Sequence, residues 1–310
     1  MPKAYVFTRY GGPETEALVE LDRPSPGPGE VLVAVRAAGV NPVDWKQRTG
    51  YRRPGESGER DFPAVLGNEV AGTVVETGEG VTGFVPGDEV FGTAVAGGYA
   101  EYALLAAHIT APRPPALSVT DAATLPVAAA TAYDGVHQLA LPAGATLLVT
   151  GAGGGVGVAV VQIARALGVR VVGVASEAKK DLVESLGAVH VTSGAGWTDR
   201  ARAAAPDGVA GVYDLVGGDV LREAADLVAD RTKLITAGAP ADAAEALGGA
   251  RVLRARDAAV LRAVAALVVG GALDPHVTRS YPLEQAGQAL REVEDGHARG
   301  KIVIEIGATA

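Results

Sequence analysis

Cysteine is absent from the 310 residues. Disulfides, thiolate zinc sites and a cysteine nucleophile are thereby excluded, and the chain suits a reducing compartment. Asparagine is nearly absent too, occurring only as Asn41 and Asn68. No apolar run reaches the roughly 18 residues of a membrane-spanning helix. The opening MPKAYVFTRYGG lacks the apolar core of a secretory signal. A basic excess is also missing. The formal net charge is -9, which argues against a general nucleic-acid surface and favours solubility. His108, His137, His190, His276 and His297 are scattered, with no HExxH pair among them. There is no G-x-S-x-G elbow, and Gly300-Lys301 is followed by Ile302, so hydrolase and Walker-type readings have no support. The expectation is a cytoplasmic protein that binds neither nucleic acid nor membrane.

What is present reads as a globular chain of two domains. Hydrophobic residues make up 48% and charged residues 20%, ordinary for a folded protein. The length exceeds what one core usually supports. Residues 1–122 are β-rich: AYVFT (4–8), EVLVAVRAAGV (30–40), VAGTVVETG (70–78) and DEVFGTA (88–94) are short segments bounded by Gly and Pro. No long helical period precedes Asp121. From there DAATLPVAAATAYDGVHQLA suits helices broken near Pro126. Strands and helices then alternate: ATLLVT (145–150), VGVAVVQIARALG (156–168), RVVGVA (170–175), AKKDLVESLG (178–187), then AVHV, GVYDLV, KLITAG and ARVLRA. Six strands spaced by helices specify a doubly wound parallel sheet in an α/β fold over 123–272. Residues 273–310 return to β structure around one helix and are expected to complete the first domain.

The sharpest local signal is TLLVTGAGGGVGVAVVQIARALG. A strand feeds a Gly-rich turn, and the turn opens a helix, as a dinucleotide fingerprint requires. The spacing is Ala152-x-Gly154-x-x-Gly157. Gly154 lets the backbone approach a diphosphate, and Gly157 lets the helix pack on the strand. The helix start at Gly155 and Val156 offers amide hydrogens and a partial positive charge. The next strand ends VGVASEAKK. Ser176 and Lys179 suit a 2′-phosphate, whereas Glu177, 20 residues after Gly157, speaks for NAD. Glu177 is read as solvated, and NADP is favoured. Val216 and Gly217 follow one strand and Ala237 and Gly238 the next, where backbone groups can reach a ligand at the carboxyl ends.

With this turn placed, the chain resembles the zinc-independent medium-chain dehydrogenases and reductases, nearest the quinone oxidoreductases. AAGVNPVDWKQRTGYRRPG, FPAVLGNEVAGTVVETGEGVTGFVPGDEVFG, GGYAEYALL, AATLPVAAATAYDGV, YDLVGGDVL and YPLEQAGQALREVEDGHARGKIVI follow one another in the family's order. The resemblance implies a GroES-like β-rich catalytic domain built from both chain ends around a Rossmann-type domain. Zinc-dependent relatives place Cys where Asn41 stands and His where Asn68 stands, so no metal is expected. Asn41 and Thr131 resemble residues at the nicotinamide end of the cofactor. Tyr51, Asn68 and Tyr133 are expected to line the substrate pocket, with Asn41, Tyr51 and Thr131 as catalytic candidates. Asp44 and Lys46 orient their loop, and Arg52 and Arg53 could attract anionic substrates. Many relatives carry a Tyr after the GADxVI strand; here GAVHVTSGAG has none and leaves only Ser193. The implied activity is hydride transfer from NADPH to a quinone or an α,β-unsaturated carbonyl by a homodimer. A biosynthetic enoyl reductase and a non-catalytic NADPH-binding protein are the alternatives.

Overall fold

The computed structural model describes residues 1–52, 60–296 and 298–307. Arg53 and His297 lie outside this set, as does most of the loop after Tyr51. The chain divides into two units. One comprises Met1–Val127, Arg256–Val269 and Val277–Ala310, and the other Ala128–Ala255 with Gly270–His276. The division falls after Val127, where the sequence pattern suggests 122. Among the described residues no helix is long and apolar enough to cross a membrane.

The first unit is built on strands β1 (Lys3–Phe7), β2 (Glu16–Glu20), β3 (Glu30–Gly39), β4 (Ala64–Val65), β5 (Glu69–Thr77), β6 (Glu89–Ala94) and β7 (Tyr102–Pro112), with helices α1 (Pro42–Arg48) and α2 (Val119–Ala122). Helix α1 is not foreseen in the sequence, being short and polar. Its start is nonetheless well specified. Asn41 stands at the N-cap, Pro42 at the first helical position, and the Asp44 carboxylate accepts from the Asn41 amide at 2.8 Å.

The second unit holds α3 (Ala130–Leu139), β8 (Thr146–Thr150), α4 (Gly155–Ala166), β9 (Arg170–Ala175), α5 (Lys180–Ser185), β10 (Val189–Thr192), α6 (Trp197–Ala204), β11 (Gly211–Asp214), α7 (Gly218–Ala225), β12 (Leu234–Thr236), α8 (Ala241–Glu245) and β13 (Ala250–Arg251). The break expected near Pro126 is a π turn over Leu125–Ala129 leading into α3. The strands form one sheet in the order β10-β9-β8-β11-β12-β13, every pairing parallel. Order reverses about β8, which creates a topological switch point at the carboxyl ends of β8 and β11. Strand β8 is buried along its whole length, as a parallel strand covered on both faces must be.

The chain then contributes α9 (Ala258–Val269), β14 (Val277–Pro282), α10 (Ala286–Glu294) and β15 (Lys301–Glu305) to the first unit. Helix α9 groups there because it packs along β7. Strand β15 pairs antiparallel with β3, with Val303 opposite Gly39. The main sheet runs β14-β15-β3-β5-β6-β7, and β3 also pairs with β7, so the sheet curls back on itself. Its core interleaves Val31, Val33, Val70, Leu105, Ile302 and Ile304.

A buried ion cluster ties α1 to both chain ends. The Arg48 side chain is 1% exposed and bonds the equally buried Glu16 carboxylate. It also reaches Glu294 at 2.8 and 3.0 Å and the Gly11 carbonyl at 3.2 Å. Arg48→Ala removes the cation bonded to the buried Glu16 carboxylate and leaves it the Tyr5 hydroxyl at 2.8 Å and the Arg291 guanidinium at 3.9 Å. Urea unfolding should show a loss of about 3–5 kcal/mol, and Arg48→Ala with Glu16→Gln should recover part of it.

Candidate functional site

The Gly-rich turn has the geometry of a phosphate cradle. Gly151 takes φ +74°, open to glycine at little cost, and Gly154 caps α4 in an extended conformation. The first intrahelical bond runs from the Val158 amide to the Gly154 carbonyl at 2.9 Å. The amide hydrogens of Gly155, Val156 and Gly157 therefore precede the helical ladder and point out of the helix start. A Cβ on Gly157 would lie 2.4 Å from the Gly151 oxygen and 2.6 Å from the Ala152 Cα, so only glycine lets α4 approach the turn. A Cβ on Gly154 would have only the Gly151 oxygen near it, at 3.5 Å. The space before the helix is open, as a dinucleotide diphosphate requires.

A carboxylate gathers the adjoining strand ends. Asp214, fully buried at the end of β11, accepts at 2.6 Å from the hydroxyls of both Thr150 on β8 and Thr236 on β12. It also accepts from the amides of Val216 at 3.2 Å and Gly217 at 3.0 Å. The Thr236 hydroxyl accepts from the Gly238 amide at 3.0 Å, and Ala237 donates its amide to the Asp214 carbonyl at 2.9 Å. The turns at Gly217 and Gly238 abut: a Cβ on Gly238 would sit 2.5 Å from the Val216 nitrogen. All four turn residues expected from the sequence thus meet at the switch point. Asp214, Thr150 and Thr236 were not foreseen, since their pairing joins residues up to 64 positions apart.

At the end of β9, Ser176 is exposed and extended and leads into a 3₁₀ turn, Glu177–Lys179. The Lys179 stem lies over the Gly-rich turn: a Cβ on Gly153 would be 2.6 Å from its Cδ. Glu177 is exposed and accepts from the Thr192 hydroxyl at 2.6 Å. Ser193 donates its amide to the Ala175 carbonyl at 2.8 Å.

Helix α3 places Thr131 and Tyr133. Thr131 is buried; its hydroxyl is met by the Arg254 guanidinium at 2.5 Å and its carbonyl by the Tyr213 hydroxyl at 2.7 Å. Arg254 also pairs with Asp134 at 3.0 Å. Tyr133 is half-buried, its ring against that of His137 with centroids 4.0 Å apart and the planes tilted by 33°.

In the first unit Asn41 and Asn68 enter one buried polar network. The Asn41 amide donates to Glu69 at 2.7 Å, and its oxygen accepts from the Lys301 ammonium at 2.6 Å. Lys301 also reaches Glu69 at 2.9 Å and the Val40 carbonyl at 3.0 Å. The other Glu69 oxygen accepts from the Val127 amide at 2.7 Å. One Asn41 amide hydrogen is thus already used. Asn68 donates to Asp44 and, at 3.2 Å, to Gln47. Tyr99 donates to Asp44 at 2.7 Å. Lys46 instead lies near the Trp45 ring. Tyr51 follows α1, about one-third exposed, its amide donating to the Lys46 carbonyl at 2.9 Å. Among the described residues no cluster of three or more His, Cys, Asp or Glu could hold a metal ion.

Burial pushes the Asp44 carboxyl up to about 6, against the hydrogen bonds from Tyr99, Asn68 and the Asn41 amide, which favour its charged form. A carboxyl whose folded-state value is raised contributes its full stability below about pH 4 and loses it as pH rises through about 6. Asp44→Asn removes that dependence. The unfolding free energy of the wild type minus that of the variant should fall by about 3 kcal/mol over this window. Denaturant titrations at stepped pH measure it, and a flat difference would contradict it.

Residues 27–115 match the alcohol dehydrogenase GroES-like domain family and residues 186–304 the zinc-binding dehydrogenase family. Quinone oxidoreductase of Rattus norvegicus is 34% identical over 94% of this chain and 93% of its own. The 2-methylene-furan-3-one reductase of Solanum lycopersicum is 31% identical over 97% of this chain and 78% of its own. The spectinabilin polyketide synthase system protein NorB of Streptomyces orinoci is 36% identical over 89% of this chain, which spans only 13% of that protein. Among solved structures, the quinone oxidoreductase from Coxiella burnetii superposes with a TM-score of 0.91 at 28% identity, covering 99% of each chain. A mycobacterial protein solved in complex with NADPH gives 0.86 at 29%, covering 98% of this chain and all of that one. Likeness to the rat enzyme over nearly both full lengths places the chain in the quinone oxidoreductase family of the medium-chain dehydrogenases and reductases.

Proposed function

We propose that the protein is an NADPH-dependent reductase of quinones or α,β-unsaturated carbonyl compounds. The observation that carries this reading is the open amide cradle of Gly154–Gly157 with the Lys179 stem laid across Gly153. The cradle fits a diphosphate, and the lysine brings positive charge to the side where a 2′-phosphate would lie. Ser176 adds a hydroxyl there. The mycobacterial NADPH complex, the rat quinone oxidoreductase and the tomato enone reductase support the same assignment.

Once bound, the nicotinamide would supply hydride to a conjugated acceptor, which itself delocalises the charge that develops. The chain's own task is orientation and the exclusion of water. The amides of Gly155, Val156 and Gly157 hold the diphosphate. The backbone of Val216, Gly217, Ala237 and Gly238, stiffened by Asp214, forms the wall beside it. Thr131 and Tyr133 are the second unit's candidates for contact with the nicotinamide, and Asn41, Asn68 and Tyr51 the first unit's candidates for contact with the acceptor, the Tyr51 hydroxyl or a water delivering the proton. The match to the polyketide synthase protein favours a second reading of the acceptor, a conjugated thioester made during chain assembly.

Isothermal titration should show NADPH binding at least tenfold tighter than NADH, a difference of about 1.4 kcal/mol. Lys179→Met should remove most of that margin by weakening NADPH alone. Gly154→Ala should weaken both nucleotides about tenfold yet leave stability nearly unchanged, whereas Gly157→Ala should lower both. Steady-state NADPH oxidation with a panel of quinones and enones tests the reaction. Tight NADPH binding with no turnover on the panel would favour a non-catalytic role.

A further inference from the structure

Two residues beyond β9 compete for the same place. In doubly wound nucleotide folds an acid just past the second strand accepts from the ribose diol and selects NAD. Glu177 stands at that position. Its carboxylate is turned sideways, however, to the neighbouring strand. Thr192 closes β10, which pairs in parallel with β9 so that Thr192 lies opposite Ala175. From there its hydroxyl donates to Glu177 at 2.6 Å. That hydrogen bond holds the Glu177 carboxyl below the usual carboxylate range, with smaller help from Lys180 and His190. The Lys179 stem runs over Gly153, a position where any Cβ would collide with it.

We propose that Thr192 is a specificity-determining residue: by tethering Glu177 to the edge of β10 it withdraws the acid from the ribose and leaves the 2′-position to Lys179. The inference rests on the NADPH reading above and names the device behind it. A carboxylate free to swing toward the ribose would accept from the diol of NADH and repel the dianion of NADPH. The tether removes both effects without removing the acid. Thr192 therefore acts through Glu177 and does not touch the nucleotide.

The test uses Thr192→Val, which keeps the shape of the side chain and deletes the hydroxyl, with NADPH and NADH titrated calorimetrically against the full chain. The NADPH-to-NADH affinity ratio should fall about three- to tenfold, the range of an ordinary net hydrogen-bond contribution, since the pair is exposed. NADH should tighten while NADPH weakens. Thr192→Ser should keep the wild-type ratio. Adding Glu177→Gln to Thr192→Val should return the ratio to the wild-type value or above, an outcome that a general loosening of β10 would not produce. A wild type that prefers NADPH, with an unchanged ratio in Thr192→Val, would overturn the tether and leave the cofactor reading standing. A wild type that prefers NADH would overturn the cofactor reading, and the tether with it.

Discussion

The ammonium of Lys301, 3% exposed, is held by the Glu69 carboxylate, the Asn41 side chain and the Val40 carbonyl. A lone charge at that depth would be too costly to keep, and so would the fully buried Glu69. Each makes the other tolerable, and the geometry of the pair is demanding. Lys301 opens β15, Glu69 opens β5 and Asn41 follows β3. Three strands must be in register before the charges meet. The pair also settles the orientation of Asn41, because its oxygen must face the ammonium and its nitrogen the carboxylate. A residue expected at the nicotinamide end of a cofactor is first of all a clamp between opposite charges.

The second unit obeys the same physics with different chemistry. Asp214 is buried without a cation among its described partners and is met by hydroxyls and amides aimed at it. Hydrogen bonds to a charged group are roughly twice as strong as those between neutral ones. The carboxylate binds together the ends of β8, β11 and β12, where a doubly wound sheet takes its ligand. The turns at Gly217 and Gly238 are thereby held in contact. Rigidity at this edge has an identifiable source in one side chain, supported by the close backbone approach that Gly238 allows.

How much of this could be read beforehand follows from how far each interaction reaches along the chain. Strands β8 and β9 and helix α4 were legible within a residue or two, since buried apolar runs, Gly stops and the turn between them are local signals. The same holds for Gly154, Gly157 and the Gly turns after β11 and β12. Helix α1 escaped because its start lies in capping contacts of Asn41 and Asp44, not in apolar periodicity. Strands β2 and β7 escaped too, the latter an eleven-residue run whose alternation is blurred by alanines. Asp214, Arg254 and Lys301 were invisible as site residues. Lys301 meets Asn41 across 260 positions and Arg254 meets Thr131 across 123, and no spacing rule spans such distances. Of the candidate site, the Gly-rich turn that opens α4 was legible, while the side chains that stiffen the neighbouring strand ends emerged only with the fold.

The composition of the first unit from both flanks of the second bears on the order in which the chain can take shape. Domains usually consolidate as units while synthesis proceeds from the amino end. Here β3 and β5 are made early, but the strand that completes their register is made after every strand of the parallel sheet. Until residue 301 leaves the ribosome, Glu69 lacks its cation and the Ala37–Gly39 end of β3 lies open to stray pairing. The Rossmann-type unit is contiguous apart from a short tail and is free to consolidate first. Vectorial synthesis thus runs against the spatial logic of this molecule. The part made first is the part finished last, and a nascent chain stalled before Lys301 would carry every strand of the parallel sheet while β3 still waited for β15.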